Sequence, residues 1–290
     1  MNAPIRYASV DALRGIAVAA MLLVNNPGDW AHVYWPLRHA EWHGCTPTDL
    51  IFPFFLFVVG VSLAVGLVPR LEGGADRRRL RRSAYLRAIR IIGLGLLLHA
   101  LAFWWLDKDY FRPWGVLQRI GLCFLLAAAV ALHLHARTQR LLIAGLLLGY
   151  WMLLGLGGSY APLENLASRT DTWLLGPMNY QFDQTTGRGH DSEGLLSTLG
   201  ALATTLLGLR AGEWLRRGQT GALLFAGVAA LALGSLWSLW LPLNKNLWTP
   251  SYAVWTAGWA ALALWLANAL VDRRGAPALG RRFGVTRTPY

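Results

Sequence analysis

"LRHAEWHGCTPTDLIFPFFLFVVG", residues 37 to 60, sets two histidines, a glutamate, two threonines and an aspartate directly ahead of an unbroken apolar run. The run continues to 68, which gives about the length a helix rising about 1.5 Å per residue needs to cross a hydrocarbon core about 30 Å thick. Seven further blocks of similar length lie near 11 to 30, 88 to 106, 114 to 133, 140 to 157, 195 to 211, 220 to 241 and 251 to 271. The chain is 55% hydrophobic and only 14% charged, outside the range of soluble globular domains. These features predict an all-α fold, a polytopic transmembrane helical bundle of about eight spans, with residues 1 to 290 forming one membrane domain. No internal repeat or second soluble domain is visible.

A net charge of +12 with an isoelectric point near 10.5 would ordinarily raise nucleic acid as a partner. The distribution of the charge removes that reading. With a cytoplasmic N-terminus, the inner segments are the stretch from Arg6 to Arg14, "PRLEGGADRRRLRRSAYLRAIR", "ARTQR", "RAGEWLRR" and "DRRGAPALGRRFGVTR". They hold 20 of the 27 basic residues and 5 of the 15 acidic ones. This is the positive-inside asymmetry, and it predicts that both termini are cytoplasmic and that the arginines meet anionic lipid headgroups. The first apolar block starts late, runs long and lacks a small-residue cleavage site, so it is expected to remain as an anchor. Cys45 and Cys123 fall at different depths, which argues against a disulfide between them.

Ionisable residues in or beside a span need partners or a wet cavity, because a charge at a helix centre costs about 2.5 to 3.5 kcal/mol on insertion scales. Asp11 and Arg14 open the first span on one face, as an ion pair or cap. Asp49 opens the second, either as an N-terminal cap or as a functional carboxylate. His39 and His43 are four residues apart, but Gly44 and Pro47 argue against a helix there and no zinc-like ligand set surrounds them, so no metal is expected. Asn25 and Asn26 close the first span, and a short connector would bring them to the same end of a helical hairpin as His39 and Asp49. Imidazole, carboxylate and amide together are the parts of an acyl-transfer site. Gln118 and Arg119 lie within the fourth span, where Arg119 is expected to face the bundle and pair with an anionic ligand or with Glu193. Asn244 and Lys245 lie just outside the seventh. The segment from 25 to 47 is expected at the interface or folded back into the protein, and 158 to 194, which shows no strong period, is expected to form an ordered loop. No phosphate-binding glycine loop, serine elbow or C-x-x-C pair is present.

Five motifs, "SVDALRGIAVAAMLLVNNPGDW", "LRHAEWHGCTPTDLIFPFFLFVVG", "GVLQRIG", "DSEGLLSTLGALATTLLGLRAG" and "LPLNKNLWTPSYAVWTAGWA", occur in this order from about 9 to 260. Together they resemble the catalytic domain of the heparan-α-glucosaminide N-acetyltransferase family and its bacterial relatives. The resemblance implies transfer of an acetyl group from cytoplasmic acetyl-CoA to an amine or hydroxyl of a sugar on the opposite side of a bacterial inner membrane. It implies that His39 is the active-site histidine, accompanied by Asn25, with Asp49 in an orienting or structural role. Gln118, Arg119, Asn244 and Lys245 would contact the donor, and Asn26 and Glu193 the acceptor. It also suggests a homodimer. The animal enzymes carry an additional luminal region ahead of this domain, and the family continues past "RRFGV" through further hydrophobic helices, so the chain is expected to be short at its C-terminus. The rival reading of the same polar residues is a transporter or channel path, although the two related halves such a path would favour are not seen.

Overall fold

The computed structural model describes residues 6 to 276; the end of the basic tail, from "RRFGV" to "TRTPY", lies outside the described residues. Among the described residues ten α-helices carry the fold, and each expected apolar block holds one of the eight long ones. These are α1 (Ala8–Val24), α2 (Ile51–Gly66), α4 (Arg77–Trp105), α5 (Val116–His133), α6 (Ala136–Leu156), α8 (Thr198–Arg216), α9 (Thr220–Trp237) and α10 (Pro250–Ala267). Two shorter helices, α3 (Val68–Glu72) and α7 (Leu166–Leu175), lie between them. Among the described residues six segments are long and apolar enough to cross a membrane, containing α2, α4, α5, α6, α9 and α10. The chain is therefore an all-α integral membrane protein.

Helix α1 ends six residues before the expected boundary at 30, where Asn25, Asn26 and Pro27 follow. The Asn26 side chain donates back to the Leu22 carbonyl at 2.8 Å and so occupies one of the open acceptors of the last turn. Helix α8 carries Arg210, Glu213 and Arg216 yet is buried on nearly every face, because it is the hub of the bundle. It runs parallel to α2 at very close range. A Cβ on Gly60 would collide with the Thr205 carbonyl, and one on Gly208 with the Phe57 carbonyl. Small residues permit this approach, and where lipid tails are as apolar as the side chains, backbone proximity and packing replace the hydrophobic drive. Helices α4 and α9 take the opposite part. Leu94, Leu97, Phe225 and Val228 are each about half exposed or more, as suits faces turned to lipid.

Segment 158 to 194 is ordered, but it is more than a loop. It holds α7 and an antiparallel hairpin of β1 (Gln181–Asp183) and β2 (Arg188–His190), in which Gln181 faces His190 and Asp183 faces Arg188. Strands of three residues are too short to show a sequence period, which is why none was legible.

The helices alternate in direction, so the bundle has two unlike ends. At the arginine end, Asp11 pairs with Arg6 at 2.7 Å and Arg14 at 3.5 Å, while Arg216 pairs with Glu72. At the other end, the segments 25 to 50, 106 to 115, 158 to 197 and 238 to 249 fold over the helices and carry most of the remaining polar chemistry.

Candidate active site

The segment before α2 folds back onto the protein, as one of the two sequence readings required. Gly44 donates its N–H to the Leu243 carbonyl at 2.8 Å, and the Trp42 indole donates to the Tyr160 carbonyl at 2.7 Å. Within the segment, Thr46 Oγ1 donates to the Arg38 carbonyl at 2.7 Å and Thr48 Oγ1 to that of Pro36 at 2.8 Å. These bonds close the loop and suspend His39 above the start of α2.

Asp49 serves two purposes with its two oxygens. Oδ2 accepts the N–H groups of Thr46 and Ala40, each at 3.0 Å, completing a capping box ahead of α2. Oδ1 lies 2.6 Å from His39 Nδ1. The cap and the functional carboxylate are one residue. A third anchor, the buried Tyr252 hydroxyl, donates to the Asp49 carbonyl at 2.6 Å. The Asp49 side chain is 1% exposed and the His39 side chain 42%, so a fixed carboxylate stands behind an imidazole that solvent can reach.

Lys245 comes from the loop between α9 and α10. Its Nζ lies 3.1 Å from His39 Nδ1, 3.3 Å from Nε2 and 3.7 Å from Asp49 Oδ1. Burial pulls the ammonium below the usual lysine range, against the opposing charges of Asp49 and Glu193. Asn244 fixes the same loop. Its Oδ1 accepts the Leu247 N–H at 2.8 Å, and its Nδ2 donates to His43 Nδ1 at 3.2 Å. His43 therefore holds the loop, and residues 41 to 44 are bends rather than a helix that would aim both histidines at one ion. Trp248, buried in the left-handed region at φ 48°, donates to Thr204 Oγ1 at 3.0 Å and is held in its strained backbone by that bond and by packing.

Beside this cluster lies a second, built around Glu193. Arg119 is fully buried and faces the bundle, and of its two expected partners, an anionic ligand or Glu193, the direct ion pair with Glu193 is absent. Glu193 and Asp191 are taken by Arg112, at 2.7 Å and 2.6 Å. Arg119 instead donates to the Gly194 carbonyl at 2.9 Å and to Ser197, and lies over the Trp248 ring at 5.3 Å. Burial opposes ionisation of Glu193, but the charges of Arg119 and Arg112 outweigh it and hold its carboxyl below the usual range. Gln118 donates to the Pro113 carbonyl at 3.3 Å. Gln118 Oε1 and Arg119 Nε and Nη1 are buried without partners, which leaves hydrogen-bonding capacity inside the bundle.

A third group was not legible in the sequence. His190 Nδ1 and Ser168 Oγ are 2.9 Å apart, the Trp42 ring meets His190 edge-on at 5.0 Å, and Asp171 accepts the Leu195 N–H at 3.3 Å. Burial pushes His190 down to about 4, and burial together with the Asp191 charge pushes Asp171 up to about 7. The only sequence signal was the crowding of "GHDSEG", whose other members were hidden by chain separation.

Asn25 and Asn26 remain apart from the clusters. Both are exposed at the C-terminus of α1, and among the described residues the Asn25 side chain makes no hydrogen bond. Cys45 and Cys123 are free thiols, with Cys45 pushed up to about 12 by burial.

Fold and site together define a polytopic helical membrane protein with a histidine, aspartate and lysine cluster at one end of its bundle. Residues 6 to 241 match the family model "Heparan-alpha-glucosaminide N-acetyltransferase, catalytic", and the chain belongs to that family. It is 29% identical to heparan-alpha-glucosaminide N-acetyltransferase of Homo sapiens and 27% identical to that of Mus musculus. These matches cover 94% and 93% of this chain and 50% of each relative, so the chain spans about half the length of the curated relatives it matches.

Proposed function

We propose that this chain is a transmembrane acetyltransferase moving an acetyl group from acetyl-CoA to an amine or hydroxyl of a sugar on the opposite side of the membrane. Its eight long helices all span, with both termini on the cytoplasmic side of a bacterial inner membrane. The observation that carries the reading is the histidine at the mouth of α2, backed by a buried carboxylate at 2.6 Å.

With Nδ1 directed to Asp49, the neutral imidazole keeps its proton there and leaves the Nε2 lone pair for chemistry. Nε2 takes the proton of the acceptor's hydroxyl or neutral amine as that group attacks the thioester carbonyl. The carbon–sulfur bond then breaks, and the thiolate of CoA recovers a proton from His39. The two-step alternative, attack by Nε2 itself to give an acetylated His39, uses the same geometry. Lys245 places positive charge where the oxyanion develops, and Asn25, from the end of α1, is assigned to support it there. Asn244 holds the Lys245 loop, Gln118 and Arg119 offer unpartnered polar atoms to the donor, and Glu193 and Asn26 meet the acceptor. At the opposite end, Asp76, Arg77, Arg78, Arg81 and His133 line an open groove of about 510 Å³ whose three arginines outnumber its one carboxylate, a balance that suits the phosphates of CoA. A homodimer would leave both ends of each bundle accessible.

The test is turnover of radiolabelled acetyl-CoA by the purified full chain with a panel of amino sugars, wild type beside His39→Ala. His39-dependent transfer supports the assignment; transfer that persists undiminished in the variant overturns it.

A further inference from the structure

Near the arginine end, α6, α8, α9 and α10 enclose a cleft of about 180 Å³, with Phe57 of α2 in its floor. Arg140 of α6 stands on one side, Ala226 and Ala230 of α9 on the other, and Leu207, Arg210 and Trp214 of α8 lie between. Apart from the two arginines and the Trp214 indole, the lining is wholly apolar.

Arg210 is 9% exposed. Its Nη1 is used twice, on Glu213 at 2.7 Å and on Gln139 at 3.3 Å. Its Nε is buried without a partner, although the side chain lines the cleft. Glu213 is shared with Arg217 at 3.6 Å, so one carboxylate faces Arg210 and Arg217, with the exposed Arg140 close by. The surroundings are therefore net positive, which suits an anionic group beside the guanidinium edge that lines the cleft.

We infer that this cleft binds an anionic phospholipid of the leaflet at the arginine end, with an acyl chain against Leu207, Trp214, Ala226 and Ala230 and the phosphate on Arg210 and Arg140. The cleft lies between α6 and α9, whose outward residues Leu141, Leu148, Phe225 and Val228 are exposed and apolar and so already face lipid. The phosphopantetheine arm of an acyl donor also joins a chain to a phosphate, but it carries two amides, and the apolar wall offers them almost nothing. A further helix does not fit, since a helix with its side chains is about 10 to 12 Å across.

The test is native mass spectrometry of the full chain released from micelles containing phosphatidylglycerol or phosphatidylcholine of identical chains. Phosphatidylglycerol should be retained about tenfold more strongly, the equivalent of one charge-assisted hydrogen bond, and Arg210→Gln should remove that preference. Ala230→Phe, on the half-buried wall of α9, should fill the cleft and abolish retention while the protein stays folded, which covers the case in which Arg210→Gln fails to fold. Equal retention of the two lipids, or undiminished retention in folded Ala230→Phe, overturns the inference. Displacement of phosphatidylglycerol by added CoA also overturns it, by giving the cleft to the donor arm.

Discussion

The two ends of this bundle both carry many charged groups and use them differently. At the arginine end most pairs lie on the rim, with Arg210 and Glu213 the buried exception: Glu72 is 54% exposed where it meets Arg216, and Arg6 is 54% exposed where it meets Asp11. At the histidine end the carboxylates of the central network are buried, with Asp49 1% and Asp191 0% exposed, and Lys245 and Arg112 reach them from segments far apart in sequence. Rim pairs in water contribute little to stability, whereas a buried charge stripped of its partner is costly. The asymmetry teaches that charge count alone locates nothing. The rim carries exposed pairs that water can replace, and the buried network holds the His39 imidazole in place.

The largest expected effect lies at the imidazole. His39→Ala should lower acetyl transfer by roughly 10²- to 10⁴-fold, the usual contribution of a positioned general base, with an unchanged elution profile and unfolding midpoint. Asp49 is the sharper probe, because it caps α2 as well as holding the ring. Asp49→Asn should keep much of the cap, since Asn also caps helices, yet lose about 10²-fold or more in turnover as the Nδ1 tautomer is no longer enforced.

Next comes the buried ion pair. Arg112→Met leaves Asp191 and Glu193 without their shared cation and should cost about 3 to 5 kcal/mol, read as a marked fall in the thermal unfolding midpoint in detergent.

Asp171 gives a pH dependence whose sign can be worked out. Its carboxyl is raised from 3.8 to about 7, so the folded chain keeps a proton that the unfolded chain releases. The stability from this group is complete below about pH 4 and is lost as the pH rises through 7. Relative to Asp171→Asn, the wild-type unfolding midpoint should therefore fall between pH 4 and 7 and stay lower above that. A constant difference across the range would show that the carboxyl titrates normally. The smallest effect belongs to the other end: Glu72→Gln should change stability by no more than about 1 kcal/mol and leave turnover unaltered.

Much of this was legible in the sequence for identifiable reasons. The apolar blocks gave every long helix, because burial of backbone polar groups in lipid leaves little alternative. The pairing of His39 with Asp49 was within reach because the two are ten residues apart across one connector. Glu193 was visible as an acidic residue close to a span, but its real partner, Arg112, sits 81 residues away and its choice over Arg119 depends on how α5 meets the outer layer. Asn25 was drawn toward the site by its motif, while its exposed position depends on where α1 ends. Lys245 was assigned to the donor; its place over the His39 ring requires the fold of a loop 206 residues downstream.

The most direct measurement compares acetyl transfer by purified wild type, His39→Ala and Glu72→Gln under identical conditions, each shown to be folded. If the histidine end is the reaction site, transfer collapses in the first variant and persists in the second. Full turnover in folded His39→Ala would contradict that assignment.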